Sequence, residues 1–211
     1  MKKLLLAFLA IVLIPLSANA AKYEEGKHYS VIPGQPTNNS EVREYFSYYC
    51  PACRGFEAYI GDIEKSLPQG TKLNKTHVDF MGHTSPEIQG MLSIGLAIAE
   101  KTGMAKQYNA EAFSYLQTQR KAVADLNDVR KIYIAAGGDG ETFDKGAKAF
   151  AIKTQVKRNK KIQDEMSRGR YVKSVPTFIV NGKYVIHSTE LDPKNFVEDY
   201  KNIIAYLLSL K

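Results

Sequence analysis

Two cysteines three positions apart, Cys50 and Cys53, constrain the fold of this chain more than any other feature of its sequence. The residues before them, 42–49, are rich in aromatic side chains and alternate as a β-strand does. Apolar residues at helical spacing follow the pair, and a second alternating run occupies residues 73–80. The sequence therefore predicts a β-α-β unit with both cysteines at the junction between the first strand and the helix.

Three kinds of chemistry compete for this pair, which contains all the cysteines of the sequence. A structural disulfide is disfavoured, because closing a four-residue loop stabilises a fold by only roughly 2 kcal/mol, against nearly 5 kcal/mol for a loop of about 100 residues. A zinc site would recruit His77 and His83, but the gap from Cys53 to His77 is far longer than in zinc fingers. We expect His77 to be a half-exposed strand residue and His83 a loop residue.

A redox-active dithiol fits the position of the pair better. Cys50 precedes the predicted helix, where unpaired N–H groups and the helix dipole favour a thiolate. Pro51 suits the first helical turn, because the N–H that it lacks would be unpaired there. Cys53 lies one turn further on the same face, where it can resolve a mixed disulfide. The pattern therefore predicts a thioredoxin-like site whose redox group is the Cys50–Cys53 disulfide, without a separate cofactor.

The rest of the chain predicts an α/β protein of thioredoxin-like fold with an inserted all-helical domain. Residues 83–168 keep the spacing of helices and show no strand signal. Strands return at residues 177–180 and 183–187, separated by the type I′ turn signal Asn181-Gly182, and Asp192-Pro193 begins a terminal helix. The predicted domains are the first thioredoxin-like part at residues 21–82, the helical insertion at 83–168 and the second thioredoxin-like part at 169–211.

The first twenty residues predict an export signal. Lys2 and Lys3 precede an apolar run of 13 residues, and small residues around Ala20 offer a cleavage site after it. A membrane anchor is the alternative, but 13 residues are too few to cross a hydrocarbon core of roughly 30 Å. We therefore expect residues 1–20 to be a signal peptide and the mature chain to be exported.

The excess of positive charge does not predict a nucleic-acid partner. The formal net charge is +7, and loss of Lys2 and Lys3 leaves 27 basic residues against 22 acidic ones. An exported protein rarely meets nucleic acid, so a modest excess suits acidic client chains, anionic membrane surfaces or colloidal stability. The basic residues at 153–161 are expected to form a solvated helix face.

Motifs spread over nearly the whole chain resemble the DsbA family, the periplasmic thiol-disulfide oxidases of Gram-negative bacteria. These motifs are AKYEEGK at residues 21–27, EYFSYYCP at 44–51, HVDFMG at 77–82, VP at 175–176 and VNGKY at 180–184. The resemblance implies a periplasmic enzyme that donates its disulfide to reduced or unfolded, newly exported proteins. It also implies reoxidation by a DsbB-like membrane quinone reductase, and we expect the enzyme to be a monomer.

The resemblance also assigns residues around the cysteines. Val175 and Pro176 match the cis-proline loop of the family, which faces the redox pair and leaves backbone groups free to bind an extended client chain. Glu44 shares strand parity with apolar residues, and the family match makes it a buried acid coupled to Glu57 and Lys75. We interpret Glu44 as a proton acceptor or tuner of the second cysteine.

One position departs from the best-known pattern of the family. The residue before the second cysteine is usually histidine there, and in this chain it is Ala52. Whatever the histidine contributes to thiolate stabilisation is missing, so we expect an enzyme less oxidising than the members that carry it. This departure and the basic charge suggest a specialised paralogue with a narrower set of clients.

Two alternative functions stay open on the sequence. A periplasmic disulfide reductase or isomerase would use the same cysteine pair, although isomerases of this superfamily generally carry a dimerisation domain and the reductases of cytochrome maturation a membrane tether. A thioredoxin-fold chaperone or binding module would use the fold without the cysteines. Substitution of the cysteines distinguishes these alternatives.

Overall fold

The computed structural model describes residues 22–210, so the predicted signal peptide at residues 1–20 lies outside the described residues. Five strands form one sheet: β1 (Tyr29–Val31), β2 (Glu41–Phe46), β3 (Lys72–His77), β4 (Thr177–Val180) and β5 (Tyr184–Ile186). The α-helices are α1 (Pro51–Ser66), α2 (Pro86–Lys101), α3 (Ala105–Phe113), α4 (Leu126–Ala135), α5 (Gly140–Lys148), α6 (Phe150–Arg168) and α7 (Phe196–Ser209). None of these helices combines the length and the hydropathy that crossing a bilayer requires.

The sheet is mixed, in the order β1-β5-β4-β2-β3. Strands β2 and β3 are parallel and are joined by α1, which forms the predicted β-α-β unit. The other neighbouring strands are antiparallel. This topology confirms the predicted fold class, and it places the end of β2 and the start of α1 near the centre of the sheet, next to β4.

Alternation along the strands gives the two faces of the sheet different partners. Val42, Phe178 and Val180 face one side and form a core with α1 and α7. Tyr45 and Ile179 face the other side and pack against partly buried residues of α6. The chain thus surrounds the sheet with helices on both faces, as an α/β architecture requires.

All regular elements between β3 and β4 are helical. Their core includes Leu92, Tyr108 and Ile132, and it continues without a break to Tyr48 and to the cysteines. The helical block therefore packs directly against the segment that carries the redox pair. The hydrophobic cores include residues from both sides of positions 82/83 and 168/169. The predicted domain boundaries at these positions therefore stay predictions.

Several element ends differ from the sequence-based expectation. The terminal helix begins at Phe196 and not at Asp192, because the Asp192 carboxylate accepts the N–H of Lys194 at 2.9 Å and closes a turn instead. Strands β2 and β3 end at residues 46 and 77, before the predicted residues 49 and 80. Strand β1 was not predicted, because three residues are too few to show an alternation.

The predicted hairpin turn is present. Asn181 and Gly182 both have positive φ, at 51° and 63°, as a type I′ turn requires. The N–H of Lys183 donates to the carbonyl of Val180 at 3.0 Å and closes the turn. Pairing resumes at Tyr184, one residue later than a two-residue hairpin predicts.

Candidate active site

The redox pair lies at the N-terminus of α1. Cys50 is the N-cap residue with extended backbone angles, and its Sγ accepts the N–H of Cys53 at 3.3 Å. Pro51 occupies the first turn, where its missing N–H leaves nothing unpaired. Both sulfurs are thiols in this structure. The N–H of Cys53 in the first helical turn therefore points toward the sulfur of Cys50, which is an arrangement that favours a thiolate.

The two sulfurs differ in access to solvent. Cys50 is 6% exposed, whereas Cys53 is fully buried beneath it. Burial raises the pKa of the Cys53 thiol well above its usual value, and the neighbouring Cys50 thiol and Glu44 carboxylate act in the same direction. Cys50 is therefore the sulfur that an incoming thiolate can reach, and Cys53 is the sulfur that holds a proton.

The proline loop that the sequence singled out lies against Cys50. The thiol of Cys50 donates to the carbonyl of Val175 at 3.3 Å, and the peptide bond between Val175 and Pro176 is cis. Both residues of the loop are half-buried, directly before β4. The Thr177 hydroxyl donates back to the carbonyl of Ser174 at 2.7 Å and closes the loop.

A buried cluster of charges lies beneath the cysteines. Glu44 on β2 pairs in register with Lys75 on β3, whose ammonium donates to Glu44 Oε2 at 2.5 Å and also to a carboxylate oxygen of Glu57 on α1. The Glu44 side chain is fully buried, and that of Glu57 is 26% exposed. The structure thus brings together the three charged residues that the sequence proposed, with Glu57 as the member nearest to solvent.

These contacts determine which group of the cluster exchanges a proton near neutral pH. Burial raises the pKa of Glu44 to about 7, against the opposing effect of the Lys75 ammonium. Burial alone would lower the pKa of Lys75, but the charges of Glu44 and Glu57 raise it above its usual value. Glu44 Oε1 has no hydrogen-bond partner within residues 22–210. Glu44 is therefore the group that can take up or release a proton, while Lys75 keeps its charge.

Ala52 lies on the exposed part of the first turn of α1, next to the fully buried Cys53. Its methyl group can neither donate a hydrogen bond nor carry a charge. The structure therefore adds no contact from this position to the sulfur of Cys50.

The interpretation of His77 as a half-exposed strand residue is wrong. His77 is buried, and its ring stacks on that of Tyr48 at 4.7 Å between centroids. Burial lowers the pKa of His77 to about 3, so the ring is neutral. The stacking partner explains the error, because strand periodicity carries no information about the helical block that covers this side of β3. His83 lies in an exposed turn, as expected, and stacks on Tyr49.

The sequence analysis missed two side chains of the helical block that form hydrogen bonds to the active-site segment. The hydroxyl of Tyr48 donates to Oδ1 of Asn109 at 2.5 Å. The side-chain amide of Gln117 donates to the carbonyl of Tyr48 at 2.8 Å and to that of Cys50 at 3.1 Å. These contacts join residues more than sixty positions apart, and no local pattern in the sequence could have indicated them.

A cleft of about 860 Å³ opens between α1, β3 and the helices α2 and α3. Glu57 and Lys75 line it together with Arg54, but neither cysteine does. The cleft therefore gives solvent access to Glu57 and Lys75. Lys75 donates to both Glu44 and Glu57, and so links the cleft to the buried carboxyl.

A family model described as Thioredoxin matches residues 27–199 of the chain. The thiol:disulfide interchange protein DsbA of Dickeya dadantii is 34% identical over 217 aligned residues, which cover the whole of both chains. The DsbA of Escherichia coli O6:H1 is 33% identical over the same span. The chain is thus similar to these curated proteins from end to end.

Solved structures of DsbA proteins are also similar to this chain. The DsbA of Klebsiella pneumoniae superposes with a TM-score of 0.76 at 28% identity, covering 88% of this chain and 97% of that one. The DsbA of Proteus mirabilis, in complex with the non-covalently bound peptide PWATCDS, superposes with a TM-score of 0.77 at 25% identity and covers 89% of this chain and 99% of its own. The likeness includes the helical block as well as the sheet.

Proposed function

The chain belongs to the DsbA family of thiol-disulfide oxidoreductases, and from this premise we propose that Cys50 and Cys53 are its redox-active pair. The enzyme forms disulfide bonds in other proteins. The observation that carries the assignment of the pair is the position of Cys50 as the N-cap of α1, with the buried Cys53 donating its N–H to the outer sulfur. No cofactor other than this disulfide is needed for the exchange.

The exchange proceeds in two displacements. A client thiolate attacks Cys50 Sγ in the disulfide form, the Cys50–Cys53 bond breaks, and its electron pair goes to the sulfur of Cys53. A second client thiolate then attacks the client sulfur of the mixed disulfide, and that electron pair leaves on Cys50 Sγ. The client gains one disulfide, and the enzyme gains two electrons as a dithiol. The N-terminus of α1 stabilises the departing Cys50 thiolate.

Glu44 supplies the proton that the first displacement requires. Cys53 departs as a thiolate, and its raised pKa means that it takes up a proton at once. Glu44, whose pKa is about 7, is half protonated near neutral pH and is the titratable group beneath the pair. In the reverse direction the same carboxylate accepts the Cys53 proton during reoxidation. Lys75 and Glu57 connect this site to solvent through the cleft.

Clients bind along the proline loop. Val175 and Pro176 lie beside the reachable sulfur, where an extended client segment can pair with the loop backbone. The Proteus mirabilis DsbA has been solved with the non-covalently bound peptide PWATCDS, which supports the binding of client peptides by this chain. Backbone pairing gives affinity with little dependence on client sequence, which suits an enzyme whose clients are reduced or unfolded exported proteins.

The family and the predicted signal peptide support a periplasmic setting for this proposal. The enzyme acts in the periplasm as a monomer, and a DsbB-like membrane quinone reductase returns the dithiol to the disulfide form. Nucleic acid is not a partner. On α6, the basic residues Lys153, Lys157 and Arg158 are exposed, consistent with a solvated helix face, while Lys160 pairs with the buried Asp79 at 2.7 Å.

Substitution of the inner cysteine tests the assignment of the pair. The Cys53→Ser variant, incubated with oxidised glutathione and a reduced client, is expected to accumulate client mixed disulfides on Cys50, because the resolving thiol is missing. Non-reducing electrophoresis measures them, and the Cys50→Ser variant serves as the control that should trap nothing. Absence of trapped client on Cys53→Ser contradicts the assignment.

Two further results would favour the alternative functions. Client folding by a variant without both cysteines favours a binding module. A redox equilibrium that keeps the wild-type pair oxidised in excess reduced glutathione favours a reductase.

A further inference from the structure

The side chain of Gln117 joins the helical block to the active-site loop. Gln117 lies in a π-helical turn, Ser114–Thr118, that directly follows α3. Its Nε2 donates to the carbonyl of Tyr48 at 2.8 Å and to the carbonyl of Cys50 at 3.1 Å. The carbonyl of Cys50 also accepts the N–H of Arg54 at 3.2 Å, which is the first backbone bond of α1. A single amide group therefore holds the chain at the point where the loop becomes the helix.

The two bonds have an electrostatic consequence at Cys50. A carbonyl oxygen carries the negative end of the peptide dipole, and the Cys50 carbonyl belongs to the residue whose sulfur becomes negative on reduction. An amide that donates to it offsets this negative end and places its own positive end beside the cysteine. The reduced state, in which Cys50 can carry a negative charge, gains more from this arrangement than the neutral disulfide state.

The backbone conformation around Gln117 is also unusual. π-Helical turns are rare, and they occur frequently at functional sites. Here the turn directs a half-buried glutamine across the boundary between the helical block and the sheet. Gln119, two positions further on, is exposed, and its side-chain amide donates to the side chains of Glu111 and Ser114 in its own segment.

We propose that Gln117 is a positioning residue for Cys50, whose amide bonds to the carbonyls of Tyr48 and Cys50 stabilise the Cys50 thiolate and so make the enzyme more oxidising. This inference rests on the proposed function of the cysteine pair. The reaction that reports on it is the exchange with glutathione: two glutathione thiols become one glutathione disulfide, and their two electrons and two protons convert the Cys50–Cys53 disulfide to the dithiol.

The test measures the equilibrium constant of this exchange in variants of Gln117. Gln117→Met keeps the length of the side chain and removes both donors, and the constant for enzyme reduction is expected to fall about five-fold. Gln117→Glu also adds a negative charge beside Cys50, and a fall of about ten-fold or more is expected. Gln119→Met, on the same segment, is the matched control and should leave the constant within about two-fold of the wild type.

Unfolding by urea in both redox states separates positioning from a general structural role. If the amide supports the thiolate, Gln117→Met lowers the stability of the dithiol form more than that of the disulfide form, by the same factor that the glutathione equilibrium shows. If Gln117 only held the fold together, both forms would lose the same stability and the equilibrium constant would not move. That second outcome overturns the inference.

The result also distinguishes this inference from the proposed function. A wild-type enzyme that does not exchange with glutathione contradicts the redox role of the pair itself. A wild-type enzyme that exchanges normally, alongside Gln117→Met and Gln117→Glu variants with unchanged equilibrium constants, contradicts only the role of Gln117.

Discussion

At position 52 the chain carries a methyl group on the exposed first turn of α1, one residue before the buried cysteine. A cation or hydrogen-bond donor at position 52 would lie close to the sulfur of Cys50, which becomes negative when the disulfide is reduced. The Ala52→His variant is therefore expected to raise the equilibrium constant for oxidation of glutathione, by about three- to ten-fold. Titration against glutathione measures it, and Ala58→His, on an exposed position of the same helix, is the control. An unchanged constant in Ala52→His would mean that the missing histidine has no bearing on redox poise.

The residues of the candidate site were predictable to different degrees. Cys50, Cys53 and Pro51 follow from spacing and helix capping alone. Glu44 follows from strand parity, because a carboxylate that alternates with apolar residues faces the core. Lys75 and Glu57 needed the family resemblance, and Gln117 could not be found at all, because its role depends on a π-helical turn and on a contact across 67 positions of sequence.

At the scale of elements, β2, β3 and α1 together create the environment of Glu44. The folded state raises the pKa of this carboxyl from 4.5 to about 7, so it favours the protonated form. Such a group contributes its full stability below the unfolded pKa and loses it as pH rises through the folded pKa. The wild type is therefore expected to lose stability, relative to Glu44→Gln, between about pH 4.5 and about pH 7, by on the order of 2 kcal/mol.

Urea unfolding of both proteins across this pH range measures the effect. The difference between the two proteins isolates Glu44 from His77, whose lowered pKa makes the wild type lose stability in the opposite direction, as pH falls from 6.5 toward 3. Glu57→Gln is the control, and it should keep the pH dependence but move it to lower pH, because the Glu57 charge helps to raise the pKa of Glu44. A stability difference that is constant with pH would show that Glu44 does not titrate in this window.

The elements themselves were predicted well where a repeating pattern is long and poorly where it is short. The 16 residues of α1 and the 16 of α2 repeat their apolar spacing over several turns. Strand β1, with three residues, offers no period to detect and exists because β5 provides an edge to pair with. The start of α7 was misplaced because Asp192-Pro193 satisfies the pattern of a helix start, while tertiary contacts decide that it is a turn.

For the molecule as a whole, the two ends of the described chain meet at Asp199, far along the sequence from the redox pair. This buried carboxylate accepts the Tyr23 hydroxyl at 2.6 Å and the N–H of Asp192 at 2.9 Å, and it pairs with the ammonium of Lys22. Burial opposes the charge, but these bonds lower the pKa of Asp199 below its usual value. An ion pair and a hydrogen bond therefore link the N-terminal segment of the described chain to α7.

The Asp199→Asn variant should therefore be less stable at pH 7 by about 1 to 3 kcal/mol, because a buried acceptor of several bonds is weakened. A carboxyl with a lowered folded pKa contributes its stability above the unfolded pKa of 3.8 and loses it as pH falls through the folded pKa, so the difference from wild type should shrink as the pH falls below 3.8. Lys22→Ala is the control and should cost little stability, because the Lys22 side chain is 64% exposed.

The Asp199→Asn substitution should lower the stability of both redox forms equally and leave the glutathione equilibrium unchanged. The reason is that Asp199 has no contact with the active-site loop among those that the described residues show. A shifted equilibrium would instead mean that the sheet and α7 transmit strain to Cys50, and that stability and redox poise are not separately determined in this fold.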